Sequence, residues 1–337
     1  MLLLITTPLQ VLLVDPSNGH TSILRAGDGY YFGATHHGGD IVLSHSGGYL
    51  QYFNRDNRPV QSLDHLIQPH QIEWVEDKVL VTNTGRNCLS VFDAHGNLCR
   101  DVYLNEVRRD DKDRGRLGNH FNSVHKSGEQ IFIVAHNYAR PSEVWELTWP
   151  ELQVANRYTT QAAWAHNIWS CEWGLLICNS KQQSLYDVLT GENIWQAGEE
   201  TTITRGLAAT RDYIFVGQSL YSERKERYWK SGAVWVIDRN TLKTLEYIPL
   251  PGSGDVYEIR LVGAPDDCHN DEVILPEYLD GVRQVSKFIA IAYRLRRQYS
   301  FLQQDVFPVS QLVRTVQMTS RWKRSFQRTR RDRLGQS

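Results

Sequence analysis

Short apolar runs rich in Val, Ile, Leu and Tyr recur along most of the chain, each closed by a cluster of turn residues. "QVLLV" runs into "DPSNG", "LSVF" into "DAHGN", and "AVWVI" into "DRNTL". No apolar spacing of three and four persists through this part, so the pattern predicts strands rather than helices. Asp or Asn next to Gly or Asn is the chemistry a tight strand connection prefers. Such markers fall at Asp15, Asn54, Asp93, Thr148, Asp187 and Asp238, at intervals of 39, 39, 55, 39 and 51 residues. A period near 40 with about four strands per unit is that of a β-propeller blade, so six markers predict an all-β, six-bladed β-propeller. The two long intervals hold charged insertions, "NEVRRDDKDRGRLGN" before His120 and "YSERKERYWKSG" from Tyr221 to Gly232.

The termini predict how the ring closes. "ITTPLQVLLVDPSNG" matches the second and third strands of a blade ("VTNTGRNCLSVFDAHGN" is the comparable stretch) but has no inner strand before it. "DVYEIRLVGA", around Glu258, supplies that strand late in the chain, so the N-terminal strands are expected beside Tyr257–Val262. Such a clasp leaves fewer open sheet edges. The propeller is assigned to residues 1–270. In residues 271–337, Val282, Val285, Phe288, Ile289, Ala292 and Leu295 share one helical face, which predicts a helical extension with a basic tail.

Charge and cysteine usage sharpen this outline. The net charge of −1 divides into about +9 from Arg294 onward and about −10 before it, so the tail suits a protein or anionic-surface partner. Trp322 and Phe326 lie among its arginines, but nothing else points to nucleic acid. Five cysteines without a C-x-x-C pair argue against a disulfide framework. The apolar N-terminus has no basic n-region or small-residue cleavage site and is broken by Thr-Thr-Pro, so a cytoplasmic protein is expected.

Aligning the blades on their second strands brings one residue of each unit to the mouth of its inner strand: Phe32 or a neighbour, His70, His120, His166, Arg205 and Glu258. His70 to Asn83, His166 to Asn179 and Arg205 to Gln218 are each 13 residues apart, while blade three needs extra residues between His120 and His136. Inner strands line the axis, so these positions face one another. Three histidines so placed suit a divalent ion such as Zn, Mn or Fe. Glu258 could complete that set or act as a base, and Arg205 could hold an anionic substrate. Asn83, His136, Asn179 and Gln218 would stand one strand outward and orient the imidazoles. Polar channel residues also bind water and backbone, so the same histidines fit a structural role.

Other features carry less. "THHGG" and "SHSGG" have no metal spacing, no nucleophile elbow is present, and no Gly-rich phosphate loop opens a helix. The "SERKERYWK" insertion is a solvated loop or a lid bringing Arg224 or Lys225 to a ligand.

Over residues 118–265 the chain resembles a family of uncharacterised bacterial six-bladed β-propeller proteins. Gly217-Gln218-Ser219, Trp235-Val236-Ile237-Asp238, Val256-Tyr257-Glu258-Ile259 and "HFNSV" from His120 carry the likeness. Gln218 stands where that family has Leu, and Glu258 where it has Asp or Tyr. The resemblance implies the fold and no activity. In constellation alone, the histidines are similar to those of propeller polysaccharide lyases that hold a metal with three histidines.

Two functions follow as expectations. One is a metal-dependent lyase, isomerase or hydrolase for a small polar or carbohydrate-like anionic substrate, with His70, His120 and His166 on the metal and Glu258 and Arg205 catalytic. The other is a non-catalytic scaffold that binds through rim loops and the basic tail.

Overall fold

The computed structural model of the protein describes residues 1–27, 30–53, 59–60, 65–105, 118–198, 202–223, 226–228 and 230–279. Four of the expected turns show why their residue types recur between a blade's third and outer strands. The carboxylates of Asp15, Asp93, Asp187 and Asp238 accept backbone N–H groups of Ser17, His95 and Asn97, Leu189, and Thr241 respectively. Each such bond satisfies a donor that the turn takes out of the sheet.

Six four-stranded antiparallel sheets form the six expected blades. Their inner strands are Tyr31–His37, Pro69–Val75, Phe121–Ser127, Ala165–Cys171, Thr202–Ala209 and Glu258–Val262, for blades one to six. Each inner strand touches those of its two neighbours, and the last touches the first. Blade six is the expected clasp: Leu2–Thr6 pairs antiparallel with Glu258–Val262, from Leu2 opposite Val262 to Thr6 opposite Glu258. Six apolar clusters, one at each junction, fill the space between blades. Along the first strand, Leu3 and Ile5 pack toward blade five while Leu4 packs toward blade one. Both faces of a blade are buried, which is why its strands read as continuous apolar runs.

Hydroxyls at the ends of the second strands tie neighbouring blades together. Ser44 donates to the His70 carbonyl, Thr84 to Phe121, Ser180 to Thr204, and Ser219 to Val256. At these points five inner strands carry a bulge, after Tyr31, Pro69, Phe121, His166 and Thr204. A bulge leaves a residue out of the ladder and re-aims its side chain, here into the channel. In blade five the bulge uses Gly206 at φ 91°, and Gly217 lies so close to the Arg205 carbonyl that a Cβ would collide with it.

After Val262 the chain crosses the C-terminal ends of the inner strands. Asp267 N–H donates to the Ala209 carbonyl, Thr35 donates to Asp271, and Asn270 reaches Glu73 and Lys126. This crossing stretch includes Asp271, which also meets Arg260. A 3-10 turn spans Pro276–Leu279. The expected helical face from Val282 to Leu295 and the basic tail lie outside the described residues. All five cysteines are free.

Candidate functional site

The N-terminal ends of the inner strands form a mouth lined by packed rings. His70 stacks on Phe32 at 4.4 Å, Phe32 stacks on Tyr30 at 5.3 Å, and Tyr257 leans on Phe32 at 5.0 Å. On the other side, His70 meets His120 at 5.0 Å, His120 meets His136 at 5.0 Å, and His136 meets His166 at 5.3 Å. The structure therefore brings His70, His120, His166 and Arg205 to one mouth, as the blade alignment anticipates. His136 belongs to the same chain of rings, between His120 and His166, and does not stand behind them. Blade three reaches the mouth differently from its neighbours. Phe121 buries its ring against Trp145, and His120 precedes the strand at φ 53°.

Glu258 is not at the mouth. Tyr257 takes that position, because blade six pairs with Leu2–Thr6 without the bulge the other five inner strands carry. Glu258 is fully buried one step further in, where Gln71 and Asn167 side chains donate to its carboxylate. Around it a ring of amides sews the blades together: Gln71 accepts from Val124 N–H, Asn122 donates to the Ala165 carbonyl, and Asn167 accepts from Gly206 N–H. Burial pushes the Glu258 carboxyl up from its ordinary value, against the pull of Arg260 and His269.

Asn83 and Asn179 do not orient the imidazoles either. Their side chains accept Ile67 N–H and Ala163 N–H, and so hold the chain three residues before His70 and His166. That shared clamp is why a histidine and an asparagine recur 13 residues apart. The groups that set the rings are others. His70 Nδ1 lies 2.8 Å from the Gln68 carbonyl, which can only accept, so Nδ1 carries the proton. His166 Nδ1 lies 2.8 Å from Ser180 Oγ, whose proton is already donated to the Thr204 carbonyl at 2.6 Å. His166 is therefore also protonated on Nδ1, leaving Nε2 an acceptor. His136 is the reverse: its Nδ1 accepts Tyr138 N–H, which makes Nε2–H a donor.

Electrostatics divides the channel. At the mouth, burial and then the Arg205 charge hold His136 down at about 4 and His166 well below its ordinary value, so both are neutral at pH 7. Arg205 is 8% exposed and lies on aromatic faces, 4.3 Å from the Tyr257 ring centre and 5.9 Å from that of Phe32. Among the described residues its guanidinium makes no hydrogen bond or ion pair. Burial lowers it to about 10. At the other end Arg260, fully buried, lies 2.7 Å from Asp271 and 3.4 Å from Glu73 and donates to the Ile72 carbonyl. His269 sits within 3.8 Å of both Glu73 and Glu258, and the surrounding acids raise it to about 9 against the opposing effects of burial and Arg260.

The insertion of blade five closes over one side of the mouth. Tyr228 packs on Tyr30 at 5.2 Å, and Arg227 Nε lies 3.6 Å from the carboxylate of Asp255. Arg224 and Lys225, expected as lid residues, lie outside the described residues. Tyr228, Arg227 and Asp255 carried no signal in the sequence, because each acts across a junction between distant segments. Among the described residues no group of three or more His, Cys, Asp or Glu side chains is arranged to hold a metal ion. His70 meets His120, and His136 meets His166, edge to face.

No family model matches the sequence, and no curated protein matches it either. Solved structures are similar in shape. A chain in the crystal structure of a nidogen/laminin complex superposes with a TM-score of 0.55 at 9% identity, covering 77% of this chain and 97% of that one. A protein of unknown function from Bacteroides caccae does so with a TM-score of 0.55 at 12% identity, again over 77% and 97%. At such low identity the likeness shows the propeller fold and nothing of its chemistry.

Proposed function

We propose that the mouth of the channel binds a small organic anion, with Arg205 as its counter-charge and the imidazoles as neutral hydrogen-bonding groups. One observation carries this reading: a guanidinium nine-tenths buried, held on two aromatic faces and lacking any acceptor among the described residues. A buried cation is costly unless paired, and a bidentate carboxylate is the partner a planar guanidinium fits best. His166 Nε2 offers an acceptor and His136 Nε2–H a donor, so the ligand is expected to carry hydroxyl or similar polar groups beside its charge. Such weakly basic imidazoles bind first. They become bases for proton abstraction only as the ligand's own negative charge raises them.

Calorimetric titration with acetate, lactate, malonate and gluconate tests the reading. Saturable binding of at least one, reduced at least 100-fold in Arg205→Met, supports it. Equal behaviour of the two proteins removes it and leaves the scaffold function.

A divalent ion is the second reading, favoured by the way Gln68 and Ser180 fix His70 and His166 on the Nδ1–H tautomer, as supporting groups do for ligand imidazoles. Metal analysis of protein purified without a histidine tag separates the two. Stoichiometric metal that disappears in a His70→Ala, His166→Ala double variant supports the ion.

A further inference from the structure

We propose that anion binding at the mouth is coupled to uptake of one proton by Asp255; this rests on the anion reading of the same site. Asp255 is 2% exposed, and its Oδ1 is enclosed with no hydrogen-bond partner among the described residues. Its other oxygen meets Arg227 Nε only at 3.6 Å, beyond an ordinary hydrogen bond. A buried carboxylate is normally satisfied by several donors, so this one depends on charge at a distance.

The backbone keeps it there. Asp255 N–H donates to the Arg227 carbonyl at 3.2 Å, and Gly254 N–H to the Lys230 carbonyl at 2.8 Å. The carboxylate therefore cannot leave the mouth without carrying the insertion with it. Its surroundings are Arg227 from that insertion, Arg205 from the inner strand of blade five, and the phenol of Tyr257 from blade six, whose own neighbour is Tyr30. Arg227 and Arg205 are the two charges that favour its ionised form.

An anion seated on Arg205 takes up one of those two charges and adds a negative charge of its own in a poorly solvated space. Two carboxylates sharing a buried site do not both stay ionised; one takes a proton. Burial already lifts Asp255 to about 6, so a ligand that raises it by about two further units leaves it mostly protonated at neutral pH. The site then takes in the anion together with a proton, in net terms an acid.

The test is calorimetric titration of the full chain at pH 7 with the tightest of the four named anions. It is run in two buffers of different ionisation enthalpy, on wild type and on Asp255→Asn, with far-UV circular dichroism confirming that the variant folds. Uptake approaching one proton per anion in wild type and near zero in Asp255→Asn supports the coupling, as does a Kd that weakens by up to about tenfold per pH unit between about pH 6 and 8 only in wild type. Binding without uptake overturns the coupling and leaves the anion site standing. Uptake that persists in Asp255→Asn overturns the assignment to Asp255 and moves the proton to the imidazoles. If none of the four anions binds, the anion reading itself fails, and the coupling with it.

Discussion

Arg205 and Arg260 lie in one channel, both nearly or fully buried, yet they are solved in opposite ways. Arg260 is enclosed by Glu73, Asp271 and the Ile72 carbonyl, with Glu258 beyond. Arg205 lies on the rings of Tyr257 and Phe32 with no acceptor among the described residues. The first arrangement closes an end of the propeller, joining the crossing stretch that follows blade six to blade two. The second leaves binding capacity unspent. Burial alone therefore does not distinguish the two guanidiniums; the state of their hydrogen bonds does.

The sharpest way to break this contrast is to remove each guanidinium in turn. Arg260→Met removes the guanidinium that Glu73 and Asp271 share, leaving these buried acids with His269 and Thr35 but short of one positive charge, and is expected to destabilise the fold by about 3–5 kcal/mol in urea unfolding. Arg205→Met should change stability by less than about 1 kcal/mol while weakening anion binding at least 100-fold, about 3 kcal/mol. Comparable stability losses in the two variants would erase the distinction.

Acidity and alkalinity should also tell the two ends apart, with effects on the order of 2 kcal/mol. At the mouth, His136 at about 4 and His166 well below its ordinary value are held under the unfolded value of 6.5; His125, deeper in the channel, is also at about 4. Below pH 6.5 the unfolded chain binds more protons at these groups, so stability rises with pH between about 4 and 6.5. His269 is raised to about 9, so its contribution is complete below 6.5 and is lost as pH climbs through 9. Asp271, lowered to about 2, contributes above the ordinary carboxylate value and loses this as pH falls toward 2. His269→Gln should remove the alkaline decline and leave the acid slope intact, measured as unfolding free energy against pH.

Smaller effects refine the boundary between the ends. His166→Asn, which shortens the acceptor at the mouth, is expected to weaken anion binding about five- to tenfold, roughly 1 kcal/mol, with little change in stability. Glu258→Gln is expected to cost about 1 kcal/mol of stability and to leave anion binding unchanged, because glutamine offers one acceptor oxygen where Gln71 and Asn167 each donate to a carboxylate oxygen. A large loss of binding in that variant would move Glu258 from the scaffold into the site.

How much of this was legible before the fold is visible in particular residues. Asp15, Asp93 and Asp238 announce their turns because a carboxylate bonds backbone a few residues away. The missing inner strand of blade six is legible because "DVYEIRLV" and "ITTPLQVLLV" each lack what the other has. His70, His166 and Arg205 emerge from the 13-residue spacing, and the cause is the asparagine clamp behind two of them. The error at Glu258 is one residue, the width of a bulge that five inner strands have and the pairing of Glu258–Val262 lacks. A bulge depends on how two strands meet, and a one-residue change of register exchanges a tyrosine at the mouth for a carboxylate beneath it.

The amino-acid sequence by itself determined the number of blades, the clasp between its ends and the set of histidines near the axis, because turn chemistry, strand patterning and repeat spacing are local or periodic. Only the tertiary structure decided that Tyr257 faces the mouth, that Arg205 lacks an acceptor while Arg260 has several, and that Asp255 meets Arg227. Those facts depend on distances between groups from distant segments, and on the burial that sets the charge of each.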